Sequence, residues 1–403
     1  MILELQKQLF AKNLEVNSLL EITQAINNNV SFEELFRIYE FILRAQLRLS
    51  KLVLVARPEL EDNWKVGAEH GVEITLTGEM LQELGTVVDT IEVSKGIFEH
   101  FQNIIPVFHK GTPLAYVLIE KGKEQIASKD DLQFIETLTN IVVVAIENQK
   151  LIKKQIGQER LKREMELAGE IQHMLIPSTL PNDPYVSMSS EYQPHSEVGG
   201  DYFDVFEINR EESVYCLGDI SGKGISAALL MSNFQANLRA LVYQDLDLTE
   251  LVAKLNERFT QITNGERFIT FVIARYNKVT RSFEYISCGH NPTYLIEGGQ
   301  LHKLSTGCTL LGMFDELPVI QKGKLTLKED ALLFMYSDGI IDVVNSEDEH
   351  YEEERLETFL LNNADLEATD LKEKLMNEVN EYRGKEPFPD DVTFLIAKFN
   401  LIG

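Results

Sequence analysis

Four short segments in the second half of the chain set an aspartate beside glycine or another acid at the edge of an apolar run. They are Gly199-Gly200-Asp201-Tyr202, Leu217-Gly218-Asp219-Ile220-Ser221-Gly222-Lys223-Gly224, Tyr336-Ser337-Asp338-Gly339 and Pro389-Asp390-Asp391-Val392-Thr393. Singly, an Asp-Gly pair is most often a turn, and adjacent acids also occur at Glu61-Asp62, where only solvated surface is expected. Four such segments abutting apolar strands imply more. Carboxylates gathered in one cleft raise each other's pKa, and they coexist as anions only when cations neutralise them. Their hard oxygens select Mg²⁺, Mn²⁺ or Ca²⁺ over zinc. Acids from two sides of a cleft, one of them bridging, can hold two such ions about 4 Å apart. Ions that close lower the pKa of a shared water and clamp a phosphoryl oxygen. The chemistry implied is metal-assisted hydrolysis of a phosphate ester with no protein nucleophile.

The glycines suit such a cleft. Gly199 and Gly200 leave room for backbone beside ions or substrate. Gly222 and Gly224 permit a tight turn into a helix starting near Ile225, presenting the Ile220 carbonyl to the cleft. No nucleophile system competes, since the chain has no G-x-S-x-G elbow, P-loop or HExxH segment. Cys216, between Tyr215 and Leu217, reads as a small buried strand residue. Cys288 stands two residues before His290, which does not by itself specify a dyad.

The elements that must position these acids span about residues 185 to 400. Val214–Leu217 and Phe268–Tyr276 read as strands, the latter facing Ser282–Ser287 across a polar turn as an antiparallel hairpin would. Ala331–Tyr336 and Val392–Phe399 are further apolar strands, while Ala227–Tyr243 and Leu248–Thr263 read as helices. Mixed antiparallel strands with segregated helices predict an α+β, layered sandwich, not a doubly wound parallel sheet.

Upstream, residues 1–28 read as one amphipathic helix, with Leu5, Leu9, Val16, Leu19 and Ile26 on a 4-3 spacing. It either packs on the next domain or forms a dimerising coiled coil. Residues 29–146 suit a small α/β sensory module. Ser31 and Glu34 form a capping box, Lys51–Ala56 is a strand, and Ile104–Phe108 joins Leu114–Ile119 through a Lys110-Gly111 turn. A helix follows over Asp130–Asn148. Residues 147–176 read as a helical linker whose stripe Leu161, Ala168, Ile171 and Leu175 is out of register with Ile152 and Ile156, until Pro177 and Pro181 stop it. A catalytic α+β domain over 177–403 completes the division.

Composition narrows the class. A chain of 403 residues predicts two or three domains. With 38 basic and 64 acidic side chains the net charge is −26, so nucleic acid and membrane surfaces are not expected partners. The three cysteines (Cys216, Cys288, Cys308) form no CxxC pair, which excludes a disulfide framework and suits a reducing cytoplasm. No apolar run approaches the roughly 18 residues of a membrane helix, and the start MILELQKQLF lacks the form of a signal peptide.

Val198-Gly199-Gly200-Asp201-Tyr202, Gly218 to Gly224, Gly289-His290-Asn291-Pro292, Ser337-Asp338-Gly339 and Asp390-Asp391-Val392-Thr393 resemble, in order, the motifs of the bacterial SpoIIE/RsbU-type serine phosphatases of the metal-dependent PPM group. Glu166 to Gln172 and Leu175-Ile176-Pro177 match the helix that enters that domain, so the resemblance covers about residues 160–400. The preceding region, mainly Phe101–Asn148, is similar to GAF sensory domains. The resemblance implies a PPM-type αββα sandwich with two divalent cations, Mn²⁺ or Mg²⁺, between its sheets. Asp219 would bridge both ions and the Ile220 carbonyl would complete one shell. Asp338 and Asp390 would hold the first ion and Asp201 would act on the second, with Asp391 not separable from Asp390 in role. His290 and Asn291 would shape a loop. The arginine with which eukaryotic members hold phosphate has no evident counterpart. The implied substrate is phosphoserine or phosphothreonine on a STAS-domain antagonist in a partner-switching pathway. A homodimer is expected, with a GAF-like unit that binds an unknown ligand (Trp64, His70, His100 and His109 being pocket candidates) and signals through 147–176. A silent signalling scaffold and a hydrolase of small phosphate esters are the other readings.

Overall fold

The computed structural model describes residues 2–56, 64–109, 111–122 and 127–401. Glu61-Asp62 and Lys110 of the expected turn lie outside the described residues. Two compact units meet in sequence between Arg160 and Leu161, inside the segment expected as a linker.

The first unit runs α1 (Ile2–Asn27), α2 (Phe32–Leu47), β1 (Lys51–Ala56), β2 (Lys65–His70), α3 (Gly78–Leu84), β3 (Ile91–Glu92), β4 (Asn103–His109), β5 (Thr112–Glu120) and the start of α4 (Lys129–His173). Ser31 caps α2 by accepting the Glu34 N–H at 3.2 Å. The strands form one antiparallel sheet in the order β2-β1-β5-β4-β3. Alternation along β1 sorts its side chains between two cores. Leu52 and Leu54 pack with Tyr39, Ile42, Ile135 and Leu138 of the helices, and Val53 and Val55 pack with Phe98, Phe101 and Tyr116. The second half of α1 buries Ile22 and Ala25, whereas Leu5, Leu9 and Val16 stay exposed. Trp64 packs on Tyr116 at 5.3 Å, His70 lies 3.6 Å from Glu40, and His100 and His109 are exposed.

Where the sequence suggested a helix to residue 148 and a phase-broken linker, α4 is one helix of 45 residues. A shift in heptad phase changes which face is apolar without interrupting backbone hydrogen bonds, so the helix continues through it. It ends at His173, before Pro177.

The second unit takes in the last turns of α4 and continues through β6 (Val186–Gln193), β7 (Asp201–Glu207), β8 (Glu212–Ile220), α5 (Ile225–Val242), α6 (Leu248–Thr263), β9 (Ile269–Asn277), β10 (Ser282–Cys288), β11 (Thr293–Glu297), β12 (Gln300–Leu304), β13 (Gly307–Cys308), β14 (Gly323–Thr326), β15 (Ala331–Tyr336), a 3₁₀ turn (Asp338–Ile340), α7 (Glu353–Asn363), α8 (Ala368–Arg383) and β16 (Val392–Phe399). One sheet has the order β13-β10-β9-β8-β7 with β14 also on β10, and the other β12-β11-β15-β16-β6. Leu217, Leu333, Leu395 and Phe399 share the core between them, and on the other face of the first sheet Phe234 of α5 packs on Phe271 and on Phe259 of α6. α7 and α8 cover the outer face of the second sheet through Leu356, Leu371 and Leu375 on Phe334 and Phe394. This is the expected αββα sandwich.

Candidate active site

The acids cluster because strands from both sheets end at one edge of the sandwich. β7 begins at Asp201, and the antiparallel ladder sets Asp219, near the end of β8, directly opposite it. The second sheet supplies the rest. Ser337 N–H donates to the Thr393 carbonyl at 2.9 Å and Thr393 N–H to Ser337 Oγ at 3.0 Å. This clasp holds Asp338 beside Asp390-Asp391. It is tight, because a Cβ on Gly339 would lie 2.0 Å from the Asp391 carbonyl oxygen.

Asp391 joins the two sheets. Its Oδ1 accepts the His195 N–H and its Oδ2 accepts the Gly200 N–H, both at 2.7 Å. A Cβ at Gly199 would stand 2.4 Å from Asp391 Oδ2, and one at Gly200 would stand 2.8 Å from the Ile220 carbonyl oxygen and 3.3 Å from Asp219 Oδ1. The glycines thus let the loop run against the acids. Asp390 differs: its Oδ2 pairs with Lys223 Nζ at 2.9 Å, and its Oδ1 accepts the Asp391 N–H at 2.8 Å. Lys223 is held between Gly222 and Gly224, both at positive φ (106° and 73°), where glycine is favoured. Its Nζ also donates to the Pro389 carbonyl at 3.2 Å.

The electrostatics follow from burial and crowding. Burial, then Asp219 and Asp391, push the Asp201 carboxyl well above its usual range. Burial, then Asp338, Asp390 and Asp391, push Asp219 up to about 7. Asp338 is raised by burial, then by Asp342 and Asp390, and Asp391 chiefly by burial. Lys223 is raised by its hydrogen bond to Asp390. Repulsion among these acids is what a cation would relieve. Among the described residues of the site, the buried Asp201 Oδ2, Tyr192 OH and Thr393 Oγ1 have no hydrogen-bond partner, and burying such groups unpaired is costly. An all-oxygen anionic donor set with an orphaned carboxylate oxygen fits a hard divalent cation. Among the described residues, no three acids, imidazoles or thiols converge into a finished ion cage. The carboxylates would have to draw inward on an ion.

His290 is a scaffold group. Its Nε2 bonds the Tyr336 carbonyl at 3.0 Å and its Nδ1 meets Thr270 Oγ1 at 2.9 Å. Burial holds it near 4, so the imidazole is neutral. It ties β9 to the strand end before Asp338. Cys216 is fully buried, as expected.

Sequence reasoning missed Gln172. Its amide Nε2–H donates to the Gly199 carbonyl at 2.7 Å, and its Oε1 accepts the Gly199 N–H at 3.1 Å. A Cβ on Gly169, one turn earlier, would lie 2.1 Å from the Glu197 carbonyl oxygen. The buried face at the end of α4 is therefore Gly169 and Gln172, while Leu161 and Ile171 of the expected stripe are exposed. A glycine and an amide at i, i+3 were the available signal.

Gly339→Ala follows from the clasp. The added methyl has to move the Asp391 backbone, so it should cost about 1–3 kcal/mol of stability and displace Asp338 from Asp390. A lowered melting midpoint with loss of divalent-ion binding is expected in calorimetry. A variant with unchanged values for both would contradict this packing.

Two face-to-face sheets covered by helices, with acids at strand ends of both, define the PP2C-type phosphatase fold. The unit is structurally similar to the SiaA-PP2C domain of Pseudomonas aeruginosa, with a TM-score of 0.54 and 17% identity over 61% of this chain and 99% of that one. Residues 210–400 match the family model "Stage II sporulation protein E (SpoIIE)". Asp219, Asp338, Asp390 and Asp391 lie inside the matched stretch, and Asp201 just before it. In Bacillus subtilis (strain 168), the phosphoserine phosphatase RsbP is 27% identical over 59% of this chain and 58% of its own length. The phosphoserine phosphatase RsbU of the same organism is 27% identical over 46% of this chain and 55% of its own length. The chain thus spans less than two thirds of either relative. Among the described residues no helix is long and apolar enough to cross a membrane.

Proposed function

We propose that this chain is a metal-dependent serine/threonine protein phosphatase of the PPM group. The observation that carries the reading is the convergence of Asp201 and Asp219 from one sheet with Asp338, Asp390 and Asp391 from the other. Asp201, Asp219, Asp338, Asp390 and the Ile220 carbonyl would hold two Mn²⁺ or Mg²⁺ ions. Asp391, with both oxygens on backbone N–H groups, would chiefly hold the loop. Bound divalent cations supply charge neutralisation at the phosphoryl oxygens and a water of lowered pKa. The chain's own part is positional: the Gly199-Gly200 loop packs against the acids and fixes them, and Lys223, the exposed cation beside Asp390, can meet the substrate's phosphate. That assigns to Lys223 the phosphate contact for which the sequence offered no arginine.

The substrate class is phosphoserine or phosphothreonine on a STAS-type antagonist in a partner-switching pathway, the class suited to relatives that are phosphoserine phosphatases. The chain would act as a cytoplasmic homodimer through the exposed stripe of α1. The GAF-like first unit, binding a ligand yet to be identified, would regulate it through residues 147–176. The test is phosphate release from a phosphorylated STAS protein, beside p-nitrophenyl phosphate and nucleotides, with and without Mn²⁺. Metal-dependent release from the protein alone, or far faster from it, is expected. Release from the small esters alone would make the chain a small-phosphate hydrolase, and binding of the STAS protein without release would make it a scaffold.

A further inference from the structure

Cys288 ends β10 and Cys308 ends β13, and the short parallel ladder pairs Ser287 with Gly307 and Cys288 with Cys308. Hydrogen bonds fix this register on both sides, from Ser287 N–H to the Thr306 carbonyl at 2.9 Å and from Gly289 N–H to the Cys308 carbonyl at 3.1 Å. A Cβ on Gly307 would fall 1.7 Å from the Ser287 carbonyl oxygen, so glycine is what brings the strands together there. Partners on neighbouring strands stand ~4.8 Å apart with side chains on one face, within the ~4.4–6.8 Å between Cα atoms that a disulfide spans.

The environments of the two sulfurs differ. Cys288 is fully buried and Cys308 is partly exposed. Burial pushes the Cys288 thiol up, whereas the neighbouring Cys288 side chain holds the Cys308 thiol below its ordinary value. An accessible, more acidic thiol beside a protected one is the arrangement of an attacking and a resolving cysteine.

We propose that Cys308 and Cys288 form a peroxide-oxidisable pair that closes to an intramolecular disulfide. The Cys308 thiolate attacks one oxygen of hydrogen peroxide. The O–O bond breaks, leaving a sulfenic acid on Cys308, and the departing hydroxide takes a proton to become water. Cys288, giving up its proton, then attacks the Cys308 sulfur. The S–S bond forms, the S–O bond breaks, and a second water leaves. Two thiols and one peroxide thus give one disulfide and two waters. Cys288 is followed by Gly289 and by His290, whose imidazole spans Thr270 and the Tyr336 carbonyl next to Ser337-Asp338. A bond made at the end of β10 therefore lies two residues from the imidazole that braces the strand end before Asp338.

The test treats the full chain with hydrogen peroxide, blocks remaining thiols and maps the peptides by mass spectrometry. The expected product is a cross-linked pair of peptides carrying Cys288 and Cys308, two hydrogens lighter than the reduced pair and reversed by dithiothreitol. Cys216 should stay reduced. Cys288→Ser should leave a sulfenic acid on Cys308 that dimedone traps, and Cys308→Ser should give no cross-link. Oxidation of Cys308 only to the sulfinic or sulfonic acid, or cross-links only between chains, would overturn the pairing. The coupling to Asp338 rests on the phosphatase reading. It predicts a several-fold, dithiothreitol-reversible loss of turnover, and unchanged turnover in active chain shown by mass to be cross-linked would overturn that coupling.

Discussion

Asp219→Asn is expected to lower phosphate-ester hydrolysis by roughly a thousand-fold or more while the chain stays folded. Asp219 faces Asp201 across the ladder between β7 and β8 and feels the charges of Asp338, Asp390 and Asp391. Asparagine keeps the shape and removes the charge. Because Asp219 is the anion proposed to bridge both ions, its loss would forfeit several kcal/mol of charge stabilisation at the reacting oxygens, and each ~1.4 kcal/mol is tenfold in rate. Phosphate release from a phosphoserine protein in Mn²⁺, run beside calorimetric Mn²⁺ titration, is the check. Turnover and ion affinity should fall together with an unchanged circular dichroism spectrum. A variant that keeps a tenth of its activity would remove Asp219 from the centre of the mechanism.

What could be read from the sequence was set by how local the determinants are. β15 and β16 are almost wholly apolar and buried, so a continuous apolar run marked each of them. Helix α6 kept its expected bounds because Asp247 caps it through the Thr249 N–H and its apolar residues recur at helical spacing. The acids at strand ends were equally visible, since glycine and acid pairs punctuate apolar runs. β7 carried too little pattern for its length to be seen, and α8 was passed over although Leu371, Leu375 and Val379 recur every four residues among charges. The contacts that assemble the site are long-range and left no mark. Nothing in the chain says that Asp391 will bond Gly200, that Lys223 will sit on Asp390, or that Gln172 will grip Gly199. Cys288 and Cys308 stood apart as sequence and become neighbours only through the parallel pairing of β10 with β13. That pairing qualifies the early reading of three solitary cysteines.

The same crowding of acids fixes how stability should depend on pH when chelator removes divalent ions. Asp219 titrates near 7 in the folded chain against an ordinary value of 3.8, and Asp201, Asp338 and Asp391 are displaced the same way. A carboxyl with a raised folded pKa binds its proton more tightly in the folded state. Its share of stability is full below about pH 4 and is lost as pH rises through about 7, the reverse of an ion-paired carboxylate. At ~1.4 kcal/mol per pH unit, Asp219 and its coupled neighbours together account for on the order of 4 kcal/mol. For a domain of this size that is roughly ten degrees of melting midpoint. The metal-free chain should therefore melt lower at pH 7.5 than at pH 5. Mg²⁺ or Mn²⁺ at pH 7.5 should restore the difference by binding the folded state alone. Asp219→Asn should flatten the slope between those pH values and blunt the response to added ion. Differential scanning calorimetry in chelator, across that range and for both proteins, reads all three effects. A midpoint that climbs with pH in the wild-type chain, or one with the same slope in Asp219→Asn, would mean that the carboxylates do not repel as a group.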